Sequence, residues 1–475
     1  MNKKVKNKKK NSKFILFFLL VQMFISLIFI ALISYLDFLP SNYYLLICGF
    51  ISILMIISFF TLPKKKNLII YLLISIITST ILFLASFYLG KTVLTLNRIA
   101  NSQTKVDDIA IIVLNDNEVE SISDSWDFNF GVVTEFDKDN NNNTIEYLNN
   151  LFDNTIKTTS FKDLSSQIKG LYQGSVDAII FNEAYRDLIL LDYPDFNETT
   201  RVLNNHQITS KVEVVASDKD LSKDTFNIYI SGIDSYGQIS RTSRSDVNII
   251  MTINPVTKEI LLTSTPRDYY LEFPISAGKK DKLTHAGIYG VDISMATLEN
   301  LYDLKLDYFV RVNFSSLIKM VDVLGGINVN SDYNFTAGDY SFVVGDNFLN
   351  GDQALAFSRE RHSFKDGDIQ RGKNQMLVIN AMIKKAFSPD IISNFSGILE
   401  TITGSFETNM KTEDMTELIK MQLGDMAEWT ITSNSVTGSG ARLTTYSYPN
   451  TKLYVMIPDE NSVENAKNEI VEIKN

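Results

Sequence analysis

Three arginines stand close together within residues 359–375, where the spacing predicts the start of a helix. Arg359 and Arg361 are two positions apart, so their side chains point the same way on an extended segment. Asp368, Arg371 and Gln375 follow at spacings of three and four, which places them on one helix face. Guanidinium groups that converge from two elements bind phosphate oxygens bidentately and suit a pyrophosphate. Taken alone, the segment also fits a solvated, salt-bridged helix start.

The charge distribution favours the anion site. The 475 residues include 45 basic and 55 acidic side chains; the first 66 residues hold ten lysines and one acid, leaving 35 basic and 54 acidic residues beyond them. So acidic a body argues against nucleic acid as a partner. Seven of the eleven arginines nevertheless fall within residues 241–371, namely Arg241, Arg244, Arg267, Arg311, Arg359, Arg361 and Arg371. This concentration predicts a site for a small, highly charged anion.

Three apolar runs dominate the first ninety residues, at positions 14–36, 43–62 and 68–89. Each is about long enough to cross a bilayer, which takes roughly 20 apolar residues. The first run is too long for a cleavable signal peptide, and two more runs follow it. The sequence therefore predicts a multi-pass protein of the cell membrane, with a basic tail over residues 1–13 and three transmembrane helices within residues 14–90.

Lysines set the predicted orientation of these helices. The tail and the loop at residues 63–67 are rich in lysine and are expected to face the cytoplasm, whereas the loop at residues 37–42 has no basic residue. Three crossings then place everything after about residue 91 on the extracytoplasmic side; a re-entrant third segment is the alternative and would reverse this. The single cysteine, Cys48, falls in the second run, so the outer portion is expected to be stable without disulfides.

Residues 100–217 predict an accessory domain. Strand-like runs at positions 109–114, 132–136 and 176–181 alternate with helix-like patterns at 145–152 and 161–172. This alternation predicts an α/β domain with a mostly parallel sheet. The asparagine run at residues 140–143 predicts a turn or an exposed loop. No catalytic grouping stands out here, and the role of the domain stays open.

Two aspartates lie at predicted strand ends upstream of the arginine-rich segment. Asp234 follows one strand-like run, Asp246 precedes the next, and Arg267 follows a third. Magnesium takes one or two protein carboxylates and fills its other positions with water and phosphate oxygens, so this arrangement fits a magnesium-phosphate site. The alternative is that both aspartates cap turns and pair with Arg241 or Arg244.

These residues belong to a series of motifs that resembles a known family. In chain order they are Gly232-x-Asp234, Arg244-x-Asp246, Pro266-Arg267-Asp268, Lys282-Leu283-Thr284-His285-Ala286, Asn313-Phe314 with Gly325-Gly326, and Arg359-x-Arg361 with Asp368-x-x-Arg371-x-x-x-Gln375. Each motif is weak alone, but their order over residues 224–388 resembles the LytR-CpsA-Psr family. With three spans and an α/β domain before the motifs, the chain is most similar to the streptococcal capsule members of that family.

The resemblance implies a catalytic α/β/α sandwich at residues 224–388 and leaves residues 389–475 as a C-terminal extension without an assigned role. It implies a magnesium-dependent extracytoplasmic phosphotransferase. Such an enzyme moves a glycopolymer, here a capsular polysaccharide, from a polyprenyl-pyrophosphate carrier to peptidoglycan, generally to the C6 hydroxyl of N-acetylmuramic acid. The implied partners are the lipid-linked glycan, peptidoglycan and membrane lipid, with no nucleic acid.

Residue roles follow from the resemblance, position by position. Asp234 and Asp246 are implied to bind or position magnesium, and Asp368 either orients the arginines or assists removal of the proton from the acceptor hydroxyl. The implied phosphate-binding residues are Arg244, Arg267, Arg359, Arg361, Arg371 and Gln375, and the implied catalytic residues are Asp234, Asp246, Arg267, Asp368 and Arg371. Many members end the last motif with Arg-Gln, whereas this chain has Asn374-Gln375. Lys373 is one position off the predicted face.

The remaining chemistry is consistent with phosphoryl transfer, which needs positioning and charge neutralisation more than a protein nucleophile. There is no G-x-S-x-G elbow and no G-x-x-x-x-G-K-[ST] loop, and the only cysteine is in a predicted span. His285 and His362 lie within motifs and are either bases or structural residues. Two apolar helix stripes either belong to the core or line a slot for a prenyl tail. They comprise Phe314, Leu317, Ile318, Val321 and Leu324, and Met376, Ile379, Met382 and Ile383.

Two other function classes stay open. One is a membrane regulator that senses lipid-linked precursor and acts on capsule assembly proteins, in which case the arginine site binds without turnover. The other is a lipid-pyrophosphate hydrolase, in which water replaces the sugar hydroxyl.

Overall fold

The computed structural model describes residues 2–61, 68–100, 104–211, 217–233, 239–365, 367–388 and 395–474. The predicted cytoplasmic loop at residues 63–67 and the predicted metal ligand Asp234 lie outside the described residues.

Three long helices open the chain: α1 Asn2–Leu36, α2 Ser41–Thr61 and α3 Leu68–Ala100. Each is long and apolar enough to cross a membrane, which confirms the three predicted helices, and α3 continues beyond the predicted end at residue 89. A buried polar contact links α1 to α3, since Ser75 Oγ donates to Gln22 Oε1 at 2.9 Å. Within a span such a contact keeps both groups paired in the absence of water.

The accessory domain is built on a five-stranded sheet. Its strands are β1 Thr104–Leu114, β2 Asn129–Val133, β3 Lys157–Phe161, β4 Ala178–Asn182 and β5 Thr200–Lys211. Its helices are α4 Lys138–Phe152, α5 Leu164–Tyr172, α6 Arg186–Ile189 and α7 Phe196–Thr199. The strand order is β3-β2-β4-β1-β5, with β2 parallel to β3 and β4, and with β1 antiparallel to β4 and β5.

Two predictions for this domain are wrong. The sheet is mixed rather than mostly parallel, because β5 returns after two short helices and pairs antiparallel along the whole of β1. The asparagine run at residues 140–143 lies inside α4 and not in a loop. Tertiary contacts override its turn preference: Asn141 is buried and its Nδ2 donates to the Val133 carbonyl at 2.8 Å.

The second domain contains a six-stranded sheet in the order β16-β11-β6-β7-β8-β17. Its strands are β6 Phe226–Ile233, β7 Ser245–Asn254, β8 Glu259–Ser264, β11 Tyr308–Asn313, β16 Phe406–Thr408 and β17 Thr430–Ser435. The smaller paired strands are β9 Tyr270–Glu272 with β10 Lys280–Lys282, β12 Ile327–Ser331 with β15 Gly345–Leu349, β13 Phe335–Ala337 with β14 Tyr340–Phe342, and β18 Gly438–Leu443 with β19 Leu453–Pro458.

Helices cover both faces of this sheet, which confirms the predicted α/β/α sandwich. The helices are α8 Leu283–Tyr289, α9 Val291–Tyr302, α10 Phe314–Val323, α11 Gly351–Arg359, α12 Asp368–Ala386, α13 Phe395–Ile402, α14 Thr412–Asp425 and α15 Glu460–Lys474. Alternate strand residues point to opposite faces. Tyr229 and Leu261 pack with α9 and α15, whereas Ile228 and Ile260 pack with α12 and α14.

The sheet extends past the predicted domain end at residue 388. Both of its edge strands, β16 and β17, come from residues after that point, and β17 runs parallel to β8 along six residue pairs. The sequence patterns before residue 388 contain four of the six strands, so a boundary drawn there leaves both edges of the sheet unpaired.

The second domain contacts the long apolar helices through α13 and α14. Leu399 of α13 packs against Leu96 and Ile99 of α3. Ion pairs flank this contact, at 3.2 Å between Lys91 Nζ and Glu400 Oε2 and at 2.8 Å between Lys420 Nζ and Asp37 Oδ1. Thr412 Oγ1 also donates to Asn97 Oδ1 at 2.9 Å.

We predict that Gly287→Ala lowers stability. Gly287 of α8 packs against the chain just before Asp246, and a Cβ at this position would lie 2.6 Å from the Ser243 carbonyl oxygen and 2.7 Å from the Ser245 nitrogen. Backbone atoms cannot rotate away, so we expect a loss of about 1–3 kcal/mol, seen as a lower melting temperature of the detergent-solubilised protein. Gly424→Ala is the control, because its nearest neighbour is a Pro40 side-chain atom at 3.8 Å. Equal melting temperatures for both variants would contradict the prediction.

Candidate active site

At one end of the six-stranded sheet, strands β6, β8 and β11 finish and strand β7 begins. β6 ends at Ile233, which pairs with Ser245 at the start of β7 and with Asn313 at the end of β11. β8 is antiparallel to β7, so it finishes at this same end of the sheet. Asp246 is the second residue of β7, and Arg267 lies just beyond β8. The strand pairing therefore brings together two predicted functional residues that are distant in sequence.

Arg267 lies among three carboxylates. Its Nη1 is 3.2 Å from Asp246 Oδ1, and its Nε is 3.8 Å from Asp368 Oδ2 and 3.9 Å from Asp268 Oδ2. The N-terminal turn of α8 holds two of these groups, because Thr284 Oγ1 donates to Asp246 Oδ1 at 2.8 Å and the Thr284 amide donates to the Arg267 carbonyl at 2.8 Å. The charged groups are thus positioned by backbone elements on both sides.

Asp368 is shared by three arginines. It is the first residue of α12, and its Oδ1 lies 3.2 Å from Arg371 Nη2 and 3.5 Å from Arg361 Nη1. Its Oδ2 faces Arg267. Of the two other carboxylates near Arg267, one pairs with Lys282. Two carboxylates thus remain for three guanidinium groups, so this end of the site carries excess positive charge that an anionic ligand would balance.

The pKa shifts of Asp246 and Arg371 indicate the same excess of positive charge. Burial alone would raise the pKa of the Asp246 carboxyl, but Arg267, Arg244, the Thr284 hydrogen bond and Arg371 together hold it below its ordinary value. For Arg371, burial and then the like charge of Arg267 lower the pKa of the guanidinium. Arg371 is therefore placed where further negative charge is favourable.

Arg267 also has an unsatisfied donor. Its Nε is buried and has no hydrogen-bond partner among the described residues, since the carboxylates of Asp368 and Asp268 are too distant. A buried donor without a partner costs about 1–3 kcal/mol. A phosphate oxygen at this point would satisfy it.

A cavity of about 980 Å³ begins at the arginine cluster and extends between the sheet and helices α10 to α13. Its charged end is lined by Asp246, Arg267, Arg359, Arg361, Arg371 and Gln375. Its far end is apolar and includes Leu317, Met320, Met382, Ile398, Leu399 and Ile402. The guanidinium of Arg359 stacks on the Phe314 ring, 4.1 Å from the ring centroid, at the junction between the two ends.

The structure does not bring every predicted arginine to this cavity. Arg244 Nη2 lies 2.8 Å from Asp187 Oδ2 of the accessory domain, so its position here does not support the predicted direct contact with substrate. Arg241 Nε pairs with Asp108 at 2.8 Å, and Arg311 Nη1 pairs with Glu407 at 3.3 Å. The clustering of seven arginines thus has two causes, because these three hold structural elements together and four line the cavity.

Asn374, the residue at which the last motif differs from many family members, lies in the interior of the domain. Asn374 is buried and does not line the cavity; its Nδ2 donates to the Phe357 carbonyl at 3.2 Å, and its Oδ1 accepts from Gln370 Nε2 at 3.0 Å. These contacts connect α12 to α11 just before Arg359. Lys373 is exposed.

The two histidines within the motifs lie in different environments. His285 is buried beside Asp281, with Nδ1 2.6 Å from Asp281 Oδ1, and Asp281 also accepts from the Ser447 amide at 2.6 Å. This network joins α8 to the C-terminal region and leaves His285 outside the cavity. His362 is exposed and lines the cavity mouth.

Sequence reasoning assigned no role to three residues that complete the site. Asp268 and Lys282 form an ion pair beside Arg267, and Thr284 bonds Asp246. All three lie within the quoted motifs Pro266-Arg267-Asp268 and Lys282-Leu283-Thr284. Their order was visible, but only the fold shows that the two motifs meet.

The described residues are compatible with a magnesium ion. They contain no group of three or more potential metal ligands. Magnesium nevertheless needs only one or two protein carboxylates when phosphate and water complete its shell. Both described contacts of Asp246 use Oδ1, and Asp234, the other predicted ligand, lies outside the described residues.

Residues 193–470 match the model of the LytR_cpsA_psr family, and the chain belongs to this family. It is 36% identical over 219 residues to a polyisoprenyl-teichoic acid–peptidoglycan teichoic acid transferase, TagU, of Bacillus licheniformis, covering 46% of this chain and 71% of the relative. It is 32% identical over 259 residues to the TagU of Bacillus subtilis, covering 54% of this chain and 81% of the relative. The crystal structure of TagV from B. subtilis matches with 29% identity and a TM-score of 0.45, over 53% of this chain and 97% of that one.

We predict a pH-dependent stability difference between the wild type and Asp246→Asn, measured as melting temperature in EDTA. The folded-state pKa of Asp246 is lowered, so its charge stabilises the fold fully above the unfolded-state value of about 4. That stabilisation is lost as the pH falls through the folded-state pKa. The variant should therefore melt below the wild type at pH 7, and the gap should close in acid. Asp139→Asn, at an exposed position of α4, is the control. A gap that is independent of pH would contradict the assignment.

Proposed function

We propose that this protein is a phosphotransferase that moves a glycopolymer, specifically a capsular polysaccharide, from a polyprenyl-pyrophosphate carrier to peptidoglycan. The observation that carries the proposal is the single cavity with an arginine cluster at one end and apolar walls at the other. Such a cavity matches a ligand that joins a pyrophosphate to a long hydrocarbon chain. The family membership and the similarity to teichoic acid transferases support the same class of reaction.

The charged end supplies what phosphoryl transfer requires. Arg267, Arg361 and Arg371 converge on Asp368 and leave excess positive charge, and Arg267 Nε has no partner among the described residues. Fixed guanidinium groups stabilise the charge that develops on phosphate oxygens during transfer. Asp368 offsets part of the repulsion among the three arginines and, being partly exposed, is also placed to take a proton from an incoming hydroxyl.

The apolar end supplies a route for the lipid. Ile398, Leu399 and Ile402 line it, and Leu399 packs in turn on Leu96 and Ile99 of the third membrane helix. The cavity therefore ends beside the helix bundle, where a prenyl chain can pass between the bilayer and the protein over a short distance. This supports a membrane-bound substrate. The proposed orientation, with the N-terminus cytoplasmic and the domains after about residue 91 on the outer side, rests instead on the lysine-rich tail and loop.

We propose Mg²⁺ as the cofactor, held by Asp246 and Asp234. When bound, the ion would neutralise charge on the pyrophosphate. Asp246 itself is held in place by Thr284 and kept ionised by the neighbouring arginines.

The test of the proposed function uses the full chain in liposomes, a lipid-linked oligosaccharide and isolated peptidoglycan. Sugar attached to peptidoglycan, with release of prenyl phosphate, is the expected result. Free phosphosugar alone would identify a hydrolase. Binding of the lipid-linked oligosaccharide without any product would identify a sensor of capsule precursors. Either of the last two results would overturn the transferase.

We predict that Arg371→Ala abolishes co-purification of prenyl phosphates, measured by mass spectrometry of lipids extracted from the purified protein. The variant loses a half-buried cation that lies 3.2 Å from Asp368 and lines the cavity. Lys373→Ala removes an exposed cation from the same helix and should leave the lipid content unchanged. Both variants should keep the wild-type melting temperature within a few degrees. Equal lipid in folded Arg371→Ala would show that Arg371 does not bind the phosphate.

We predict that Met382→Trp reduces the same lipid content several-fold. Met382 lines the apolar end of the cavity on α12, and the larger indole would occupy space that the prenyl chain needs. Lys384→Trp, on the exposed side of α12, is the matched control. Binding of a short-chain prenyl pyrophosphate should be less affected than binding of a full-length one. If both substitutions changed the lipid content alike, the cavity would not be the lipid site.

A further inference from the structure

The C-terminal hairpin formed by β18 and β19 lies directly beside the arginine cluster. The Met456 amide donates to the Asp268 carbonyl at 2.7 Å, and Tyr269 and Met456 form a parallel β-bridge. Because the two chains run in the same direction at this bridge, the residues before Met456 lie on the same side of it as the residues before Tyr269. Tyr454 is therefore carried towards Arg267, at the outer side of the site.

Tyr454 presents an aromatic face to solvent. Its side chain leans across Gly440, where a Cβ would lie 2.9 Å from Tyr454 Cε2 and 3.1 Å from the hydroxyl oxygen. Only a glycine at this position lets the ring lie so close to the neighbouring strand. The side chain of Tyr454 remains 47% exposed.

A cation accompanies this ring. Arg442 is the register partner of Tyr454 across the hairpin, so both side chains stand on the same face. Arg442 is exposed and makes no ion pair with the described residues. The pair thus offers a flat apolar surface next to a set of hydrogen-bond donors.

The position of Tyr454 separates it from the lipid cavity. It is not among the described residues that line that cavity. Burial and then the charges of Asp268 and Asp368 raise the pKa of its hydroxyl, in agreement with the contact between the hairpin and the Asp268 backbone. The reacting groups therefore lie between the lipid cavity on one side and the Tyr454 surface on the other.

We propose that Tyr454 and Arg442 form the binding site for a sugar ring of the acceptor glycan strand. The inference rests on the proposed transferase function and assigns its second substrate a place. The donor enters through the apolar cavity, so the acceptor hydroxyl has to approach the phosphate from the open side, where this aromatic face lies. A sugar ring stacks its C–H face on an aromatic ring and directs its hydroxyl groups to charged donors such as Arg442.

The test measures the two substrates separately. Full-length protein in detergent is titrated calorimetrically with a soluble peptidoglycan tetrasaccharide, and KM values for acceptor and lipid-linked donor are measured in liposomes. Tyr454→Ala should weaken tetrasaccharide binding and raise the acceptor KM about tenfold, with unchanged donor KM and unchanged co-purified lipid. Tyr454→Trp should retain binding because it keeps an aromatic face.

A second variant retains Tyr454 but displaces its ring. Gly440→Ala forces the Tyr454 ring from its position, so it should reproduce the loss of acceptor affinity. Trp126→Ala removes another exposed aromatic residue, from the accessory domain, and is the control expected to behave as wild type.

The outcomes separate this site from the transferase proposal. Wild-type acceptor affinity in folded Tyr454→Ala, or an equal rise in donor KM, would overturn the acceptor site even if transfer to peptidoglycan is observed. If the wild-type protein makes no transfer product but binds the tetrasaccharide through Tyr454, the sugar site stands and the transferase proposal fails. Absence of tetrasaccharide binding and of any acceptor dependence on Tyr454 would overturn the site.

Discussion

The constraint on which this structure depends is the repulsion among Arg267, Arg361 and Arg371. Three guanidinium groups of like charge converge on a partly buried site, and only Asp368 lies close to all of them. Burying charges without balanced partners is unfavourable, so the surrounding elements have to hold the cluster together. Asp246 supplies further negative charge to Arg267, and the positive charge that remains in excess would favour an anionic ligand.

The rest of the fold meets this constraint with rigid elements. Strands β7 and β8 place Asp246 and Arg267 at the same end of the sheet, and Thr284 of α8 forms hydrogen bonds to both residues. Helix α12 begins at Asp368 and presents Arg371 one turn later, while Asn374 joins that helix to α11. Helices α11 and α12 also line the apolar cavity, so the elements that hold the charges shape the cavity as well.

The sequence was sufficient for the motifs and the three long apolar helices, because residue spacing and apolar runs are local signals. The α/β/α architecture was predicted from the family resemblance that the motifs carry. It was not sufficient for pairings between distant segments. Arg244 resembled a phosphate ligand, yet Asp187, 57 residues earlier, binds it. Asn374 looked like a missing cation, although it bonds the Phe357 carbonyl of another helix. The strand directions of the accessory sheet and the edge strands after residue 388 could not be predicted for the same reason. The local sequence of a strand does not show which distant strand it pairs with.

The position of β17 has a consequence for biosynthesis. Strand β8, which leads into Arg267, has one neighbour in β7 and gains its second only from residues 430–435. A growing chain therefore carries an open edge on β8 until residues 430–435 have been synthesised, and open edges pair readily with other chains. Arg267, which follows β8, consequently gains the final support of its strand from a segment far along the chain.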